Sequence, residues 1–151
     1  EMEGVQVRVV STGERKGAAA PGTPVTDADV AEAQRLVDGF DAFFRAAVRD
    51  GAQIVFHPHF PPAEPGGYRP ATFADPANSF HEKAALCRAA ENTCYFATVN
   101  YAGAGSPTTS AVAQPDGTLL CYQPYGQEGL LVAEVDLSAA TGLLAARFRS
   151  G

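Results

Sequence analysis

The sequence predicts an α/β domain, a layered sandwich with a mixed β-sheet, and three observations carry that prediction. Short apolar runs bounded by Gly and Pro alternate with helical stripes in the order β-α-β-α-β, the pattern of strands joined by helical crossovers. A hairpin signature with Asp116-Gly117 at its turn follows, and its antiparallel pairing makes the sheet mixed. With 151 residues, 46% of them hydrophobic and 19% charged, the chain has the size and apolar content of one domain with a substantial core. Residues 1–151 are accordingly read as a single domain.

The elements follow in order. Residues 4–10 alternate, with Val5, Val7 and Val9 on one face and Arg8 on the other, and read as a first strand. Residues 11–25 are rich in Gly, Ala and Pro and read as a loop. From Thr26, a plausible N-cap, Val30, Ala33, Val37, Phe40, Phe44 and Ala47 step by three and four along one helical stripe. One helix over 27–49 is expected, with two shorter ones as the alternative because Gly39 interrupts it; Gly51 ends it. Ala52 to Phe56 reads as a strand buried on both faces. Residues 58–76 hold six prolines and Gly66-Gly67, a long stiff loop of the kind that often lines a site. Ser79 and Glu82 form a capping box for a helix running to about Asn92, residues 94–100 read as a buried strand, and 109–122 as the hairpin. "GLLVAEVDL" alternates as a further strand, and 138–148 closes the chain as a short helix.

Charge narrows the function classes. A net charge of −6, with 11 scattered Lys and Arg, excludes a phosphate-tracking surface for nucleic acid and disfavours an anionic membrane. No long apolar span and no leader pattern appear, and three cysteines, at 87, 94 and 121, suit free thiols packed in a reducing, cytoplasmic setting.

In open α/β sheets ligands bind beyond the carboxyl ends of the strands. Those ends carry Ser11-Thr12, His57-Pro58-His59 and Asn100. His57 and His59, spaced i, i+2, share a face and read as lining a pocket mouth or capping a strand end. With His81 or Glu64 they would make a metal-dependent hydrolase site, but Pro58 between them and the lack of a second metal-spaced pair argue for no metal. Asn100, beside Gly103 and Gly105, suits a bond to loop backbone or a substrate contact. Arg88 and Glu91 suit a local i, i+3 ion pair.

Three stretches together carry a resemblance: "FFRAAVRDGAQIVFHP", "RAAENTCYFATVNYAG", and "SAVAQPDGTLLCY" followed by "EGLLVAEVDL". In this order and spacing they resemble the C-terminal half of the nitrilase superfamily of carbon–nitrogen hydrolases, over about residues 40–148. The resemblance implies half of an α-β-β-α sandwich and hydrolysis of non-peptide C–N bonds in small amides or nitriles without a cofactor. It also implies association of like subunits through helices, here 27–49 and 79–92. Family chemistry uses a Cys nucleophile, a Glu acid–base and a Lys that stabilises the oxyanion.

Laid on the family's strand-and-elbow pattern, "EGVQVRVVSTGE" puts Arg8 at a family glycine, Thr12 at the nucleophile and Glu14 at the following acidic position. Residues 13–38 match nothing in that pattern and read as an inserted loop and helix. With threonine for cysteine and the Glu and Lys partners belonging to the family's other half, the chain is expected to be incomplete and inactive alone. A non-catalytic module that binds a partner through the same helices is the other reading.

Overall fold

A computed structural model describes residues 42–61, 66–78 and 80–147, all within one compact unit, Leu36–Gly151. The first strand, the loop of 11–25, Thr12, Glu14 and most of helix 27–49 lie outside the described residues. The described end of that helix, α1 (42–49), stops as the glycine predicts. Gly51 takes φ +99°, and the Gly51 and Ala52 amides donate back to the Val48 and Ala47 carbonyls.

Strand β1 (Ile54–His59) then pairs in parallel with β2 (Tyr95–Asn100), and α2 (His81–Asn92) lies between them in sequence as the crossover. Strands β3 (Ala111–Ala113) and β4 (Leu119–Tyr122) continue antiparallel, giving a mixed four-stranded sheet in the order β1-β2-β3-β4. The Asp116-Gly117 turn forms as read, with Gly117 at φ +84° and the Asp116 carboxylate accepting from the Thr118 amide. The α/β class with a mixed sheet is therefore observed.

Register explains where the core sits. Val55, Phe96 and Ala113 are consecutive cross-strand partners and so share one face. Phe44 and Val48 of α1, Ala85 and Ala89 of α2, and Ala145 of α3 (Leu143–Arg147) are buried against that face. The small alanines let α2 approach the sheet closely, and burying a side chain such as Phe96 contributes about 1.5–3 kcal/mol. On the opposite face Phe56 and Val99 stay 59% and 51% exposed. The expectation of a β1 buried on both faces is thus corrected: Phe56 on its second face is exposed, although Tyr95 and Ala97 of β2 on that face are buried.

Three further readings change. "GLLVAEVDL" forms no strand, since nothing among the described residues pairs with its backbone; Leu130 and Val132 are 86% and 74% exposed. The closing helix is broken into a 3-10 turn, Leu137–Ala139, and α3, separated where Gly142 turns at φ +63° and packs its bare Cα against Val48. Ser79 of the expected capping box lies outside the described residues. Its partner Glu82 is directed elsewhere, accepting from the Ala74 amide and the Tyr125 hydroxyl, and α2 begins with no side-chain cap. Among the described residues no helix is long and apolar enough to cross a membrane.

Candidate functional site

The site is built at the carboxyl ends of β1 and β2. Strand alternation puts Val55, His57 and His59 on the helix-covered face, and His59 is level with Asn100 at the strands' last register position. Pro58 needs no ladder donor because β1 is an edge among the described strands. β1 thus runs past the expected Phe56 to deliver both imidazoles into a cavity of about 630 Å³.

Each wall has its own support. The rings of His57 and His59 stack with centroids 5.5 Å apart, and His57 meets the edge of Phe44 at 6.3 Å. His81, at the start of α2, stacks beside Phe80 at 4.4 Å and also lines the cavity. Tyr68 stands on the loop, where its hydroxyl donates to Asp75 at 2.7 Å, and Asp75 also accepts from the Ala71 and Ala77 amides. Asn78 fastens that loop across the cavity by donating to the Pro107 carbonyl at 2.6 Å.

Asn100 acts one step back. Its side-chain amide donates to Ser106 Oγ at 3.0 Å and to the Thr108 carbonyl and hydroxyl, each at 2.8 Å. Ser106 in turn donates to the Pro61 carbonyl. Asn100 is not among the cavity's lining residues; it holds the 101–110 loop that presents Gly105 and Pro107 to it. The structure therefore brings His57 and His59 together and ties Asn100 to their surroundings through a loop.

Burial sets the charge of the imidazoles. Desolvation, reinforced by His57 and then His81, depresses His59 to about 4, and desolvation with His81 lowers His57 as well. Both are neutral at physiological pH. His59 Nε2 is buried and has no hydrogen-bond partner among the described residues. Among the described residues no three His, Cys, Asp or Glu side chains gather as a metal-holding group, and Glu64 lies outside them.

The thiols stand apart. Cys94 is buried and its thiol is pushed up to about 12 by desolvation and Glu91, while burial raises Cys121. Cys87 is exposed, which corrects the expectation that all three are packed. The Arg88–Glu91 pair forms at 2.7 Å.

Sequence reasoning missed Phe60, Tyr68 and the buried Glu82–Tyr125 pair. In that pair the Tyr125 hydroxyl lies 2.8 and 2.9 Å from the two carboxylate oxygens of Glu82. Tyr68 beside Gly66-Gly67 was the available signal for the loop wall; nothing in the sequence links positions 82 and 125.

A parallel β1-α2-β2 unit, a hairpin continuing the sheet and a cavity beyond the strand ends define a layered α/β scaffold with a cavity where such sheets place their ligands. A family model described as Carbon-nitrogen hydrolase matches residues 37–143, and the chain belongs to that family. The matched span contains His57, His59 and Asn100 and begins after Thr12 and Glu14. A comparison with curated proteins found no match.

Proposed function

We propose that this chain supplies the substrate-holding wall of a carbon–nitrogen hydrolase acting on small amides or nitriles, and that it does not turn over substrate unaided. The observation that carries the reading is the cavity at the ends of β1 and β2, inside the span matched to the family. An amide or nitrile needs an uncharged pocket with a few polar contacts. The neutral imidazoles and the Asn78 side chain supply those contacts. The reaction would also need an activated nucleophile, and position 12, where the family pattern puts cysteine, holds threonine.

The exposed part of the sheet face at Phe56 and Val99 fits the same proposal, since the α-β-β-α architecture implied by the resemblance packs a second sheet there. Pairing of like subunits through α1 and α2 belongs to it as well, with Phe43 exposed on the first.

Ammonia release from acetamide, propionamide and propionitrile tests the catalytic part, alongside equilibrium binding of the same compounds by ligand-observed NMR. Binding without release is expected. Turnover by the native chain that vanishes in Thr12→Ala would overturn the claim of inactivity. Failure of every amide and nitrile to bind would overturn the substrate class.

A further inference from the structure

We infer that the cavity beyond β1 selects an uncharged, ring-bearing ligand, so that the amide or nitrile it holds is an aromatic one. The inference rests on the proposed function for the C–N group and on the cavity itself for the ring and the absence of charge.

The walls are rich in flat rings. His57 and His59 from β1, Phe60 just after it, Tyr68 from the loop, His81 from α2 and Pro107 from the 101–110 loop all line the space. They come from separate segments, so the ring-rich lining is not the consequence of one apolar run. Phe60 is itself held by Tyr101, with centroids 5.1 Å apart. Aromatic rings prefer offset-stacked or edge-on contact with other rings, an attraction that a saturated ligand of the same size gains only in part. A volume of about 630 Å³ accommodates a substituted ring rather than a two-carbon amide alone.

No Asp, Glu, Lys or Arg is among the described lining residues. Three charged groups of the surrounding loop and α2 are engaged elsewhere. Asp75 accepts from the Tyr68 hydroxyl and two backbone amides. Lys83 donates to the Pro76 and Asn78 carbonyls. Glu82 takes the Tyr125 hydroxyl and the Ala74 amide. A carboxylate or amidinium entering the cavity would shed water and meet no opposite charge among the described lining residues, a penalty an isosteric amide avoids.

Four compounds of one shape test this with the full chain at pH 7.5: benzamide, benzoate, benzamidinium and cyclohexanecarboxamide, with binding measured by titration NMR. Benzamide should bind at least tenfold tighter than either charged isostere and at least threefold tighter than the saturated amide. Phe60→Ala and Tyr68→Ala, at positions 60% and 48% exposed where the fold tolerates truncation, should each weaken benzamide at least threefold. Equal binding of the four, no binding of benzamide, or indifference to both substitutions would overturn the inference. Acetophenone separates the two ideas. If it matches benzamide while acetamide and propionitrile fail to bind, the ring site stands and the C–N reading falls. If acetamide binds and benzamide does not, the reverse holds.

Discussion

Tyr125→Phe removes one oxygen and isolates the contact that anchors the cavity's loop wall to the body of the domain. Glu82 is 3% exposed, and its carboxylate receives the Tyr125 hydroxyl at 2.8 and 2.9 Å and the Ala74 amide at 2.8 Å. A hydrogen bond to a buried charged group contributes about 1.5–3 kcal/mol net. Tyr125 is only half-buried, so water replaces part of the lost donor, and a loss of about 1.5–2 kcal/mol is expected from the lower part of that range.

Urea denaturation of a double-mutant cycle with Glu82→Met is the assay. Glu82→Met leaves the Ala74 amide unsatisfied whether or not the Tyr125 hydroxyl is present, so that term cancels across the cycle. In the Glu82→Met background the hydroxyl keeps only the Thr72 carbonyl, at 3.2 Å, so Tyr125→Phe should cost no more than about 1 kcal/mol there. The same cost in both backgrounds would refute the reasoning. The pH dependence has a definite sign. Burial raises Glu82 above the ordinary carboxylate value, while the Tyr125 hydroxyl and the Ala74 and Thr109 amides pull it back. A raised folded value means that the unfolded carboxyl ionises first, so stability falls as pH climbs from the ordinary value through the folded one. Removing the hydroxyl raises Glu82 further, and the cost of Tyr125→Phe should therefore grow with pH across that window and then level off.

Gly117→Ala should destabilise by about 2–3 kcal/mol in thermal or urea unfolding, because it combines a left-handed backbone with a crowded site; Gly117 has φ +84°, and a Cβ there would lie 2.9 Å from Ala90 Cβ and 3.2 Å from the Leu86 carbonyl oxygen. Iodoacetamide at pH 8 should label exposed Cys87 in the native chain, whereas Cys94, buried and pushed up to about 12, should label only on unfolding, as read by mass spectrometry of the peptides. His59 lies depressed at about 4 against an ordinary value of 6.5, so the unfolded chain binds its proton first and stability should fall as pH drops between those values, by at most about 3 kcal/mol. The unfolding midpoint against pH should flatten over that window in His59→Phe.

How much was legible depended on whether a feature is local. The β1-α2-β2 crossover, the Asp116-Gly117 hairpin, the Gly51 stop and the Arg88–Glu91 pair are each written within a few residues, and each formed. Readings failed where the outcome depends on a distant partner. "GLLVAEVDL" has strand alternation, but alternation describes two faces and supplies no neighbouring backbone, and among the described residues none pairs with the segment, while Tyr95 Oη binds its far end at Asp136. Glu82 fits a capping box by spacing, yet a tyrosine 43 positions away and a loop amide claim its carboxylate. His57 and His59 were legible as a pair sharing one face because strand period alone fixes that. Their aromatic neighbours Tyr68 and Phe60 were not, because they arrive through a proline-rich loop whose path is set by Asp75, Asn78 and Asn100.

The described thiols bear on where the chemistry of this fold has to reside. Cys94 directly precedes β2, whose six residues end at Asn100 beside the cavity; at about 3.3 Å per residue it sits roughly 20 Å from that end. Cys121 is on β4, three strand spacings from β1, or about 14 Å at about 4.8 Å each, and its thiol is raised by burial. Cys87 is exposed to solvent on α2. None of the three combines nearness to His57 and His59 with an environment that favours thiolate. The imidazoles are neutral and line the cavity, so they can hold a ligand's polar group, and none of the three thiols stands beside them. On the function proposed above, binding and bond-breaking are separable: the cavity depends on β1, α2 and two loops, and each of those elements forms without a reactive sulfur near it.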